Sequence, residues 1–187
     1  MSRGRGIAIN VAAFQALWTL AVVGAGKPWW WVAPALIGGS MAGQLRLSPL
    51  PGREAVLILA GASAGTSADL LATACGVFQP VAASRAEFVI LFFSLWVNFG
   101  TTLRPSLAWM WHRPTLASVL GAIGGSCTYW AGSRIGVISL AEPKWEGLAW
   151  AAAQYAIAVP AWMLAADCLI AAHAGTGRRL ISPGATP

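Results

Sequence analysis

The side chains in this sequence that could do chemistry are few, and most sit inside apolar runs. Asp69, Asn98, Tyr129, Arg134, Asn10, Gln15, Arg104 and Asp167 are the polar groups that an apolar environment would have to accommodate. A charged carboxylate at the centre of a bilayer costs about 3 kcal/mol or more, so it is expected to be paired, protonated or in use. Asp69 therefore has two readings. It is either an acid–base group acting with Tyr129 or Arg134, or a buried link from its own helix to one of these two residues. Asn98 has the spacing of an interhelical hydrogen-bonding residue. Arg104 and Asp167 lie near the end of a run, where they can pair or extend to the interface.

Conventional catalytic constellations are missing. The sequence has no glycine-rich phosphate loop, nucleophile elbow or paired-carboxylate motif. Its two histidines, His112 and His173, fall at the same membrane surface in the topology described below, which argues against a histidine metal or haem site across the membrane. No catalytic residue, metal site or cofactor is expected, and an enzyme ranks third, behind an accessory or lipid-handling protein and a transporter, with a channel below it.

The elements that must position these residues are membrane helices. The chain has 187 residues, of which 57% are hydrophobic and 10% charged, against about 25% charged in a soluble domain. The fold class expected is all-α: a polytopic bundle of six transmembrane helices, at residues 7–26, 29–45, 54–78, 88–103, 115–134 and 147–172. These form one domain over 1–187. The basic, apolar start resembles a signal peptide, but Asn10 and Gln15 inside the run favour a retained first helix. Pro160 is expected to kink the last helix, and 173–187 to be a short, disordered basic tail.

The stretch 95–134, LWVNFGTTLRPSLAWMWHRPTLASVLGAIGGSCTYWAGSR, consists of two such runs joined by a basic turn of about ten residues. So short a connection predicts antiparallel neighbours. The glycine face of the second run, with Gly121 and Gly125, should then be covered by the first and third helices. Gly61, Gly65 and Asp69 recur every fourth residue on the third helix, so the carboxyl group should follow the glycines into a close contact.

The net charge of +6 is distributed between the runs, so it reports topology and not nucleic-acid binding. With the amino terminus inside, Arg3, Arg5, Arg46, Arg53, Arg104, Arg113, Arg178 and Arg179 are internal. Lys27, Arg85, Arg134 and Lys144 are external. Eight against four favours both termini in the cytoplasm. Asn10, Asn98, Arg104 and Asp167 then fall toward the inner side, and Asp69, Tyr129 and Arg134 toward the outer, which argues against an aspartyl dyad of Asp69 and Asp167. Trp29, Trp30, Trp31, Trp109, Trp111, Trp130, Trp145 and Trp150 lie near run ends and read as an interfacial belt in preference to a ligand cage. Cys75, Cys127 and Cys168 fall in different runs and read as small apolar filler, not a disulfide framework.

FQALW (14–18), GTSADLL (65–71), LWVNFGTTLRPSLAW (95–109) and GAIGGSCTYWAGSRIG (121–136) resemble a family of small bacterial inner-membrane proteins defined only as a domain of unknown function. Ser126 departs from the pattern, which has proline after the double glycine. The resemblance implies the membrane fold and location but no reaction. It also implies a lipid-related role, through relatives encoded beside fatty-acid-modifying and lipid-handling genes. The function expected is that of an accessory or lipid-handling membrane protein, with a small-solute or lipid transporter and then a lipid-modifying membrane enzyme as alternatives. Membrane lipids are the expected partners, together with a membrane enzyme or further copies of the chain.

Overall fold

The computed structural model describes residues 3–81 and 84–179, the last ten of them by backbone alone. Among the described residues six helices form the fold: α1 (Arg3–Gly24), α2 (Val32–Arg46), α3 (Pro51–Ala74), α4 (Arg85–Gly100), α5 (Pro114–Ile135) and α6 (Lys144–Arg179). Two three-residue strands, β1 (Phe78–Pro80) and β2 (Ile138–Leu140), and a short 3-10 turn at Ala108–Met110 complete it. Among the described residues, three helices are long and apolar enough to cross a membrane, at Gly4–Gly24, Pro51–Ala74 and Lys144–Leu169. The six-helix count matches the six apolar runs, with shifted boundaries. α3 stops at Ala74 because Gly76 turns left-handed (φ 76°), not at 78, and α4 begins and ends three residues early. The last helix continues through Arg179, so residues 173–179 of the expected tail are helical; residues 180–187 lie outside the described residues.

Hydrogen bonds assign the helix ends to two levels. At one, β1 pairs antiparallel with β2, and the Gly26 amide donates to Glu87 Oε1 at 2.6 Å, joining the α1–α2 turn to the start of α4. At the other, Arg104 meets Ser48 and Glu54, Asn10 meets Ser106, and His112 faces Asp167. Consecutive helices therefore alternate in direction.

The expected α4–α5 pairing is not found. α5 packs along α6, and α4 is set against α2 and α3, with almost no direct contact between α4 and α5. The glycines explain this. A Cβ on Gly121 would lie 2.5 Å from the Tyr155 carbonyl oxygen, and one on Gly125 would lie 2.6 Å from the Tyr155 ring, so it is α6, not α1 or α3, that covers this face. The loop between α4 and α5 is a chain of turns that lets the two helices separate.

The packing follows a repeat in the sequence. Gly61-Ala62, Gly65 and Gly76-Val77 recur sixty positions later as Gly121-Ala122, Gly125 and Gly136-Val137. Both helices end on a left-handed glycine followed by valine and a strand. The ribbon register places Gln79 opposite Ser139, again sixty apart, so equivalent residues meet across a local two-fold. In each unit an aromatic ring from the following helix lies on the second glycine: Trp96 on Gly65 and Tyr155 on Gly125. These two rings stack on each other, with centroids 4.7 Å apart and planes at 23°. The stretch from α3 to α6 is thus two related helix–strand–helix units, with α1 and α2 packed against α4.

Candidate functional site

Asp69 is 1% exposed and ties four helices together. Gly65, one turn before it, has no side chain, so the Trp96 indole can lie against the α3 backbone; a Cβ there would be 2.3 Å from the ring. That approach brings Trp96 Nε1 to donate to Asp69 Oδ2 at 2.6 Å. The Tyr129 hydroxyl of α5 donates to Oδ1, as does Gln154 Nε2 of α6, at 2.9 Å. Asp69 and Tyr129 occupy equivalent positions in the two repeat units, so the bond between them crosses the local two-fold. The Gln154 side-chain oxygen is buried without a partner among the described residues.

Of the two partners expected for Asp69, the structure brings up Tyr129. Arg134 is exposed and makes no ion pair or hydrogen bond among the described residues. It lies more than a helical turn beyond Tyr129, beside the ribbon end. Trp96 and Gln154 complete the site and were not anticipated as ligands of the carboxyl group.

A cavity of about 220 Å³ adjoins this cluster, between α1, α4, α5 and α6. Its walls are almost wholly apolar and aromatic: Phe14, Trp18, Phe92, Leu95, Trp96, Phe99 and Tyr155, with Val137 and Ile138 of β2 at the ribbon end. Asp69, Thr128 and Tyr129 supply the polar surface. Phe78 of β1 packs edge-on to Tyr129, with centroids 5.3 Å apart, and fixes its ring. On its α1 and α5 walls Gly124 is exposed and Phe14, Trp18 and Thr128 are half-buried. An aromatic enclosure thus exists, but its tryptophans are Trp18 and Trp96, and none of those assigned to the belt lines it. Trp29, Trp31, Trp109, Trp130 and Trp145 are exposed, as a belt requires.

The remaining expected residues stand elsewhere. Asn98 Nδ2 donates to the Phe14 carbonyl of α1 at 3.0 Å, an interhelical bond. Asn10 donates to the Thr101 carbonyl at 3.3 Å and accepts from Ser106 Oγ at 2.6 Å, fastening α1 to the α4–α5 turns. Gln15 is exposed on the outer surface of α1. Arg104 pairs with Glu54 at 2.6 Å, and Asp167 lies 3.5 Å from His112 Nδ1. The side chain of His173 is outside the described residues. The three cysteines are free, as expected of residues outside a disulfide framework, and they lie exposed on the surface. Ser126, in place of the expected proline, sits in an unbroken α5 and donates to the Leu148 carbonyl at 3.1 Å. Two further carboxylates are buried, Glu54 at the start of the third apolar run and Glu87 just before the fourth. Among the described residues no group of three His, Cys, Asp or Glu side chains converges as a metal site would require.

Fold and site define a helical protein with three helices of membrane-crossing length and an aromatic cavity beside a buried, fully bonded carboxyl group. The chain belongs to the family described as "Protein of unknown function (DUF2878)", which matches residues 7–161. Neither a curated protein nor a solved structure matches it.

Proposed function

We propose that the protein is a six-span integral protein of the bacterial inner membrane, with both termini in the cytoplasm, that takes the apolar chain of a membrane lipid into the cavity beside Asp69. The observation that carries this reading is the cavity itself: an aromatic slot with polar groups gathered at one place on its wall and with exposed Gly124 and half-buried Phe14, Trp18 and Thr128 on its α1 and α5 sides, which we read as a sideways opening. A slot that opens sideways in a bundle of this kind faces acyl chains, and rigid rings provide dispersion contacts without ordering flexible side chains. The Thr128 and Tyr129 hydroxyls are positioned to receive a polar group on the same ligand.

Membrane embedding by all six helices is supported by the outer surface. Every helix exposes large aliphatic residues, including Ile9, Leu36, Val56, Ile90, Ile123 and Ile157. α2 and α4 have 15 and 16 residues, or roughly 23 Å of helix each, so they would cross with the help of local thinning and their flanking turns. The test is mass spectrometry of lipid retained after detergent exchange, comparing the native protein with Gly124→Leu. A Cβ at Gly124 meets nothing within 4 Å, so this side chain fills the slot without disturbing the core. Retained lipid should fall several-fold at an unchanged melting temperature. Equal retention by the two proteins would refute the assignment.

A further inference from the structure

A second cavity, of about 130 Å³, lies at the opposite level, lined by Arg53, Glu54 and Leu57 of α3, Arg104, and Ala166 and Leu169 of α6, with Pro49 and Leu50 at its edge. We propose that it is a binding site for an anionic phosphate group, carried by a membrane lipid headgroup or free in solution. The proposal rests on the membrane reading but not on the lipid slot beside Asp69.

The charge balance comes first. Glu54, with 5% of its side chain exposed, is fully engaged: it accepts from Gln44 Nε2 at 2.6 Å and from Arg104 Nη1 at 2.6 Å. Arg53 has no carboxylate partner among the described residues, and its Nη1 donates only to the Leu169 carbonyl at 2.6 Å. The cavity wall therefore carries one uncompensated positive charge.

Donors remain as well. A guanidinium has five N–H groups. Arg53 uses Nη1 alone, and Arg104 uses Nη1 for both Glu54 and Ser48, the latter at 2.9 Å. Nε and Nη2 of each arginine have no bond among the described residues. Paired arginine donors match the oxygen geometry of phosphate better than ammonium groups do.

The geometry of the pocket fits a lipid. Arginines are joined there to apolar walls, Leu50, Leu57, Ala166 and Leu169. A phosphate attached to a glycerol backbone presents the same sequence of charge and hydrocarbon. The Arg104 side chain is 34% exposed, which leaves access to its free donors. The site also lies at the arginine-rich level of the molecule, where basic pockets between helices meet the anionic leaflet.

The experiment is a thermal-melting series on the full chain in neutral detergent, with phosphatidylglycerol, phosphatidylcholine or inorganic phosphate added. Phosphatidylglycerol should raise the melting temperature by about 3 °C or more, phosphatidylcholine should not, and Arg53→Gln should abolish the rise while Arg53→Lys retains part of it. If inorganic phosphate reproduces an Arg53-dependent rise, the ligand is the free anion and the site stands. An undiminished phosphatidylglycerol effect in Arg53→Gln, or an equal effect of phosphatidylcholine, overturns it. Should Arg53→Gln not fold, native mass spectrometry of the unmodified protein in an equimolar mixture of the two lipids decides: equal retention refutes the site. Gly124→Leu must keep the phosphatidylglycerol effect, because that variant blocks only the slot. Loss of the effect there would assign the headgroup to the slot and refute a separate site.

Discussion

At Asp69, three donors converge on two carboxyl oxygens, and each donor comes from a different helix. Removing the acceptor leaves an indole N–H, a phenol and an amide together in an apolar interior. Each stranded donor costs about 1–3 kcal/mol. Asp69→Ala should therefore lower stability by at least about 3 kcal/mol, measured by thermal unfolding in detergent. Tyr129→Phe removes one of three bonds and should cost about half as much or less. Arg134→Ala should leave the melting temperature unchanged. A double-mutant cycle should show coupling between Asp69 and Tyr129 and none between Asp69 and Arg134; the reverse pattern would overturn the arrangement. The Tyr129 contact was legible, because the glycine spacing fixed the face of Asp69 and the order of the runs fixed its depth. Trp96 and Gln154 were not, since their contacts depend on how α4 and α6 rotate. Glu54 and Glu87 were missed for a related reason. At a run end a glutamate reads as solvated, whereas Glu54 accepts from Gln44 and the distant Arg104, and Glu87 accepts from the Gly26 amide.

Between the helices, glycine determines which element packs on which. Adjacent positions on α5 make the point: Gly121 and Gly125 lie against Tyr155, whereas a Cβ on Gly124 meets nothing within 4 Å. Gly121→Ala and Gly125→Ala should each destabilise by about 1–3 kcal/mol through overpacking, while Gly124→Ala should be neutral. Equal losses at all three would mean that α5 is rotated from this position. The apolar runs revealed the six helices because each is longer than any strand would be. The ribbon escaped because three residues are too few to display a period of two, although the repeated Gly-Val exits at 76–77 and 136–137 mark both of its ends. The neighbour relations were misjudged from loop length. A turn of about ten residues permits antiparallel packing but supplies no contact energy, whereas a glycine under an aromatic ring does.

Across the whole molecule, the proposed orientation rests on joining the two levels of hydrogen-bonded ends to the charge count. One level holds the strand ribbon and the Gly26–Glu87 bond, and its connections carry Lys27, Arg85, Arg134 and Lys144. The other holds the Arg104–Glu54 pair and the Asn10–Ser106 bond, with Arg46, Arg53, Arg113 and the basic termini. On the six-span topology proposed above, alternating helices put all connections at one level on one side of the membrane, and the bias of eight to four is the ground for proposing that the arginine-rich level faces the cytoplasm. Single cysteines in a background without the native three test this in intact cells. A cysteine at Ser139, exposed on β2, should react with a membrane-impermeant maleimide. One at His112, also exposed but on the opposite level, should react only after the membrane is opened. The pairing is informative because the structure separates these residues whichever way the molecule faces. Inverted labelling would reverse the proposed orientation and keep the fold, whereas labelling of both positions in intact cells would refute the proposal that α5 crosses the membrane.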